Sequence, residues 1–465
     1  MSSPRDHAAP VRQPAASPGS QAGPGPRLAL CGGTVITSLD PVRVVTADVV
    51  VAGGRIAAVG PAPHGVPRRD CARTLVLPGN VCAHHHLYSA LSRGMPYRLE
   101  PPADFLQILQ RVWWRLDRGL DERSVRMSAL VGGLEALRAG TTTVIDHHAS
   151  PNFIDGSLDV IGDALEELGL RSVLCYEVSD RDGLPRAAAG VAENRRFLAG
   201  RRPLARGMMG AHASFTLSDD TLAACVQAGA AAGSGIHIHV AEDRADQDDA
   251  VARNGARVIE RLGAAGVLTA DALLAHCVHV SDFEIADIEA SGATVAHNPR
   301  SNMNNRVGYS PLACRGPRVA LGTDGIGGDM ITESQLGYLH AVESHAATPP
   351  AWPLRRLAEG ARLAGRIFGE PGLGGIIPGA PADLTVLSYD PPAPLSAANL
   401  PGHWVFGLAA GRVRDVLVAG ELVLADGRST RVDEAKIAEG AAREAARLWE
   451  RIDQIPAHPF TPKGS

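Results

Sequence analysis

Eight short apolar or β-branched runs punctuate the middle of this chain: LVLPGNVCAHH, TTTVIDHH, RSVLCYEV, RGMMGAHAS, GIHIHVAE, ALLAHCVHV, ATVAHNPR and VALGTDG. Most of the gaps between them carry a helical pattern. Between residues 120 and 140, Met127, Leu130, Leu134 and Leu137 recur at i, i+3, i+7 and i+10, and Gly140 stands where a C-terminal cap would sit. Eight strands alternating with helices over about 250 residues have the size and rhythm of a (β/α)8 TIM-type barrel, an α/β fold. A doubly wound open sheet is the competing architecture, but no GxGxxG or phosphate-binding loop lies between a strand and a helix to support it.

The barrel would occupy residues 78–377. On either side the texture changes to short β segments broken by glycine, LALCGGTVITS and ADVVVAGGRIAAVG before it, ADLTVLSYD and VRDVLVAGELVLADGR after it. These predict one small β-sandwich built from both chain ends, residues 27–77 and 378–432. Residues 433–465 read as a C-terminal helix and tail; the helical part, roughly 433 to 453, is charged and amphipathic and suits a surface helix or an oligomer contact. The first 26 residues are rich in Pro, Ala, Ser and Gly and lack an apolar h-region, so a disordered tail is expected there and not a signal peptide.

Composition closes off several classes of function. A formal charge of −5 and the lack of a Lys/Arg-rich run argue against nucleic acid or an anionic membrane surface as partner. The seven cysteines, at positions 31, 71, 82, 175, 225, 277 and 314, form no CxxC pair and fit a reducing compartment. No stretch approaches the roughly 18 continuous apolar residues of a membrane-crossing helix. A cytoplasmic enzyme is the expectation.

The chemistry sits at the ends of the runs. The first ends in His84, His85 and His86, the second in Asp146, His147 and His148, and the fourth in His212. The fifth carries His237, His239 and Glu242, the sixth His276, the seventh His297 and the eighth Asp324. In a barrel these positions converge on the C-terminal face, where active sites of this fold lie. Strand alternation puts His84 and His86 on one side of the backbone, so the pair can serve one ion. A third imidazole, from His239 or from His237 on the same face, and the carboxylate of Asp324 would complete an N/O shell suited to zinc or ferrous iron. Read alone, Glu242 could instead cap the following helix, His276 could fill the core and Asp324 could be a turn residue. Of the 45 basic residues only Lys436 and Lys463 are lysines, so a two-metal centre bridged by a barrel lysine is ruled out and a single ion is favoured.

The order PGNVCAHHH, GAHASFT, HIHVAE, LAHCVH, HNPRSN and GTDG resembles the amidohydrolase superfamily in its cytosine deaminase and chlorohydrolase branch. The likeness extends over nearly all of the chain after the tail. Longer stretches such as HHHLYSALSRGMP, RVWWRLDRGLDE and NPRSNMNNRVGY are similar to the SsnA group of aminohydrolases linked to selenium metabolism. Carried over residue by residue, the resemblance implies His84, His86, His239 and Asp324 as metal ligands, the spacing from histidine to Glu242 selecting His239 over His237. It implies Glu242 as proton shuttle, His276 as the group that orients or polarises water, and one divalent ion, zinc before iron or manganese. Asp324 doubles as acceptor of the water proton, and His212 is implied as a substrate contact.

Other substrate contacts are expected from placement. Tyr88, Ser89 and Arg93 follow the first histidine motif on the loop over the site, Trp113 and Trp114 could stack on a planar ring or pack in the core, and Asn302 and His297 lie beyond the seventh strand. Members that deaminate oxidised purines carry Gln and Thr after the histidine triplet; SALSRG here argues against that substrate. The function implied is metal-dependent hydrolysis of a non-peptide carbon–nitrogen bond, as an aminohydrolase of a small nitrogen heterocycle, by a homodimer. Opening of a cyclic amide or displacement of ring chloride at the same site are the alternatives. A silent barrel acting as an assembly protein is the remote one, and the complete ligand set speaks against it.

Overall fold

The computed structural model describes residues 27–408 and 411–463, so the tail expected over residues 1–26 lies outside the described residues. Each of the eight runs contributes a barrel strand: Asn80–His85, Thr141–His148, Arg171–Tyr176, Met209–Ala213, Ile236–Val240, Leu273–His276, Thr294–His297 and Val319–Leu321. All pair in parallel, in two arcs. Parallel bridges at Val178 to Ala211 and at His85 to Asp324 join the arcs at both seams and close the barrel. Every residue of these strands is buried, as a parallel sheet covered on both faces requires.

The helix expected around residues 120–140 is Glu122–Arg138. Its start is set by a capping box in which Asp121 accepts from the Ser124 backbone N–H and the Ser124 hydroxyl accepts from the Asp121 N–H. Leu130, Leu134 and Leu137 are buried against the barrel, and Gly140 has the φ of +78° that lets the chain leave the helix.

The first run differs from a single strand. Thr74–Pro78 pairs antiparallel with Leu384–Ser388, and the barrel begins only at Asn80. Gly79 separates the two because a Cβ there would meet the Thr142 side chain at 2.2 Å. Around this junction the strands Thr34–Leu39, Val42–Thr46, Arg412–Val418, Glu421–Ala425 and Arg428–Ser429 complete a seven-stranded sheet. A four-stranded sheet from Arg27–Cys31, Val49–Ala52, Arg55–Val59 and Arg68–Asp70 packs on it through Leu30, Val35, Val51, Val76, Leu384 and Leu417. A buried pair, Arg171 with Asp383 at 2.8 Å, ties this unit to the third barrel strand.

The C-terminal helix is Glu434–Asp453, and one face of it lies on the barrel. Leu448 and Ile452 are buried, the Trp449 indole donates to Leu91 O at 2.8 Å and the Arg451 guanidinium to Gly119 O at 2.8 Å. No described helix is long and apolar enough to cross a membrane.

Candidate active site

The strand ends that carry chemistry bend sharply. Ala241, His276, Cys277 and Asp324 have φ values of +44°, +72°, +48° and +52°, a left-handed conformation that side-chain-bearing residues adopt at a cost of about 1–3 kcal/mol each. The turns swing the His276 and Asp324 side chains over the barrel mouth.

There His86 Nε2 lies 3.2 Å from His239 Nε2 and 2.9 Å from Asp324 Oδ1, and His84 Nε2 lies 3.5 Å from the same oxygen. His84, His239, His276 and Asp324 each offer one ligand atom, all within 4.8 Å of one another. The far nitrogens of the imidazoles are held from behind: His84 Nδ1 by His237 Nε2 at 2.8 Å, His86 Nδ1 by the His147 carbonyl at 2.5 Å, His239 Nδ1 by the His212 carbonyl at 2.8 Å. A histidine that donates its rear N–H presents a lone pair at the front, the form a metal requires. His84 Nε2 is buried and has no hydrogen-bond partner, an uncompensated acceptor that a cation would satisfy. Burial holds His84 and His239 well below the usual histidine range, so both are neutral. Burial acts on His86 in the same sense, but the hydrogen bond and charge of Asp324 raise it to about 9; a bound cation takes the place of that proton. Burial would lift the Asp324 carboxyl, but the imidazoles of His84, 3.5 Å away, and His86, 2.9 Å away, hold it well below the carboxylate range. These residues fit a divalent metal. His147 does not join them, since its Nε2 faces the carbonyls of Ala211 and His237 and its Nδ1 the Glu177 carboxylate.

Glu242 follows the fifth strand at the rim. Burial, reinforced by the Asp324 charge against the opposing effect of His276, pushes its carboxyl up to about 7. Asn305 donates to Glu242 Oε1 at 3.2 Å and to Ser301 Oγ at 3.3 Å, and the Ser301 hydroxyl in turn donates to Asp324 Oδ2. One helix, Pro299–Asn305, therefore links both carboxylates. His276 presents Nε2 3.5 Å from Glu242 Oε2 and 4.0 Å from Asp324 Oδ2, with Nδ1 held by Asn302 Oδ1 at 2.8 Å and Nε2 met by Asn298 Nδ2 at 3.2 Å.

A cavity of about 560 Å³, open to solvent, leads to these groups. Tyr88, Phe105, Trp113, Trp114 and Phe215 supply aromatic walls, and six carboxyl groups reach it, those of Asp117, Glu177, Glu242, Asp243, Asp246 and Asp324; among the described residues no lysine or arginine lines it. Beneath it Arg181 donates to Asp117 Oδ2 at 2.6 Å and to Glu177 Oε1 at 2.9 Å. Burial pushes Asp117 up to about 8 and leaves its Oδ1 without a partner beside the cavity. A larger cavity, about 1080 Å³ by the same measure, lies near Arg206 and Arg366, where the barrel strands begin, remote from the strand-end histidines.

The structure thus brings Tyr88, Trp113 and His212 into the cavity wall together with Glu242, His239, His86 and Asp324. Two placements expected from sequence are corrected. Arg93 points away, bonded to Glu135 at 2.7 Å on an exposed face, because the loop after His86 coils into the short helix Leu87–Ser92 and carries it past the site. Asn302 does not face the cavity; it is fully buried behind His276. His297, the other residue placed beyond the seventh strand, packs in the core against Tyr309 and Trp352. Sequence reasoning missed Ser301 and Asn305, whose i, i+4 spacing within NPRSNMNN was a usable signal. It also missed Glu177 and Arg181, which share that i, i+4 spacing, and Asp117, which carries no local signal because it meets Arg181 across 64 positions of sequence.

The amidohydrolase family model matches residues 75–423. The chain belongs to the amidohydrolase family. It is 33% identical over 417 residues to a 5-methylthioadenosine/S-adenosylhomocysteine deaminase of Nitratidesulfovibrio vulgaris, covering 86% of this chain and 92% of the relative. It is 29% identical over 443 residues to a 5'-deoxyadenosine deaminase of Methanopyrus kandleri, covering 91% and 99%. Among solved structures, an adenosine deaminase from Xanthomonas campestris with bound zinc shares the fold with a TM-score of 0.78 at 23% identity, over 92% of this chain and 99% of that one. As a member of the amidohydrolase family, the protein is a hydrolase of carbon–nitrogen bonds.

Proposed function

We propose that this amidohydrolase is a single-metal aminohydrolase, zinc-dependent, that removes the exocyclic amino group of an uncharged aminopurine nucleoside or a close heterocyclic analogue. The observation that carries the reading is the approach of His84 Nε2 and His86 Nε2 to one Asp324 oxygen, with His239 Nε2 3.2 Å from His86 Nε2 and with His84 Nε2 buried and unpartnered. In this reading His84, His86, His239 and Asp324 hold the ion, which when bound supplies an acidified water at neutral pH. Asp324, anchored by Ser301, accepts a proton as water adds to the amidine carbon. Glu242, with a carboxyl near 7, suits giving a proton to the ring nitrogen, taking one from the added hydroxyl and passing it to the departing amine, and the proton held by Asp324 then recharges Glu242. His276, held by Asn302, faces the developing tetrahedral centre. The carbon–nitrogen bond then breaks and ammonia leaves.

The cavity supports the substrate class. Aromatic walls suit a planar ring, and the free oxygen of Asp117 suits a hydroxyl donor. The acidic lining, with no lysine or arginine among the described residues on it, offers a phosphate no side-chain cation to pair with, which favours nucleosides over nucleotides. The relatives that deaminate 5'-deoxyadenosine and 5-methylthioadenosine point to the same class. The test is bound metal and ammonia release from adenosine, 5'-deoxyadenosine, adenine, cytosine and AMP. Turnover of a nucleoside is expected, with AMP weaker by about tenfold or more in kcat/KM. Protein that carries its metal and frees no ammonia from any of these ends the proposal.

A further inference from the structure

The segment that follows the C-terminal helix, Gln454–Lys463, reaches back to the substrate cavity. Beyond the C-terminal helix, the His458 backbone N–H donates to Gln110 O at 2.9 Å and the Gln110 side chain donates to Phe460 O at 2.8 Å, across 350 residues of sequence. Arg115 donates to Ile452 O at 2.7 Å and to Ile455 O at 2.6 Å. At its far end the Lys463 N–H donates to Asp249 Oδ1 at 2.6 Å, on the helix that follows Glu242. The segment thus bridges the helical stretch before the second strand and the helix after the fifth.

Its side chains stand directly behind the cavity wall. The Phe460 ring meets the edge of Trp114 at 5.7 Å between centroids and lies 6.4 Å from Phe215, and the His458 ring lies 5.1 Å from Trp114. Trp114 and Phe215 line the cavity; Phe460 packs in the same apolar cluster but does not line it. His458 is 3% exposed, accepts from the Phe460 N–H and has Nε2 3.5 Å from Asp182, whose carboxylate also meets Arg118 and Arg181. Arg181 is the cation that holds Asp117 and Glu177 at the cavity floor. The aromatic wall and the polar floor therefore share one support.

We propose that the C-terminal segment Gln454–Lys463 is a fixed outer brace of the substrate cavity and that Phe460 is its positioning residue, setting Trp114 and Phe215 against the part of the substrate that projects away from the reacting carbon. This inference rests on the nucleoside reading above for the identity of the substrate, though not for the existence of the brace. Loss of the Phe460 ring frees Trp114 to move without disturbing the strand ends that carry His84, His86, His239 and Asp324. Binding weakens while the chemical step stands, and the cavity grants more room to a larger substituent.

The experiment compares the full-length metal-loaded protein with Phe460→Ala, Phe460→Leu and a chain ending at Pro456. In Phe460→Ala, KM for 5'-deoxyadenosine is expected to rise about tenfold with kcat within about twofold, because uniform binding is lost and not transition-state stabilisation. Metal content stays unchanged, Phe460→Leu recovers most of the loss, and discrimination against a bulkier 5'-substituted adenosine narrows. Amide hydrogen exchange over residues 105–117 and 212–216 speeds up in Phe460→Ala and in the shortened chain. Unchanged KM and unchanged exchange in a folded Phe460→Ala overturn the proposal, as does a fall in kcat with unchanged KM. If the parent protein deaminates no nucleoside, the functional reading fails by itself, and the exchange measurement alone decides for or against the brace.

Discussion

At the scale of single residues, the environment of Glu242 is costly to the fold and useful to the chemistry. Its carboxyl is raised to about 7 from an ordinary 4.5, chiefly by burial. A carboxyl raised in the folded state contributes stability that is full below about 4.5 and is lost as pH climbs through about 7. Glu242→Gln removes the titration, so the metal-free variant is expected to melt a few degrees above the parent at pH 8 and no higher than the parent at pH 4.5. The same variant keeps its metal, since every proposed ligand is intact, and loses on the order of 10²–10⁴ in kcat. Thermal melts at two pH values, metal analysis and turnover check the three parts; substantial residual turnover contradicts the shuttle role. The histidines that end the strands were legible in the sequence because their spacing is local. Their rear partners were not: His84 is oriented by His237, 153 positions away.

At the scale of elements, the site depends on how closely two strand ends approach. Gly322 ends the eighth strand where a Cβ would stand 2.4 Å from Asn298 Oδ1 and 2.7 Å from the Cβ of His84. Neither neighbour can give way, one being packed against His276 and the other tied to His237. Gly322→Ala is therefore expected to displace His84 and weaken metal binding at least about tenfold, although no ligand is altered. Competition with a chelator measures it; an unchanged metal affinity removes the steric argument. The strand and helix rhythm that announced the barrel came from side-chain patterning, which acts over a few residues. The reason for the break at Gly79 did not show in the sequence, because what forbids a side chain there is Thr142 on the neighbouring strand. Arg93 was misplaced for a related reason: a loop position says nothing about the short helix that the loop becomes.

At the scale of the whole molecule, several ion pairs join the barrel to the sandwich, and among the described residues Arg171 with Asp383 is the most buried of them. Asp383 accepts two bonds from Arg171 and one from the Ala419 backbone N–H, with both side chains nearly excluded from water. Asp383→Ala leaves a buried guanidinium uncompensated and is expected to cost about 3–5 kcal/mol of stability. Denaturant unfolding measures this, and a loss below about 1 kcal/mol would mean the pair is redundant.

The sequence by itself determined the barrel, the two-ended sandwich and the set of strand-end histidines and carboxylates, because each is written in local periodicity and residue type. Only the tertiary structure decided which imidazole nitrogens face forward, which acids share Arg181, that Asn302 stands behind His276, and that the segment after the C-terminal helix braces Trp114. Those relations join positions tens to hundreds of residues apart, and no local pattern of side chains can specify an angle or a neighbour at that range.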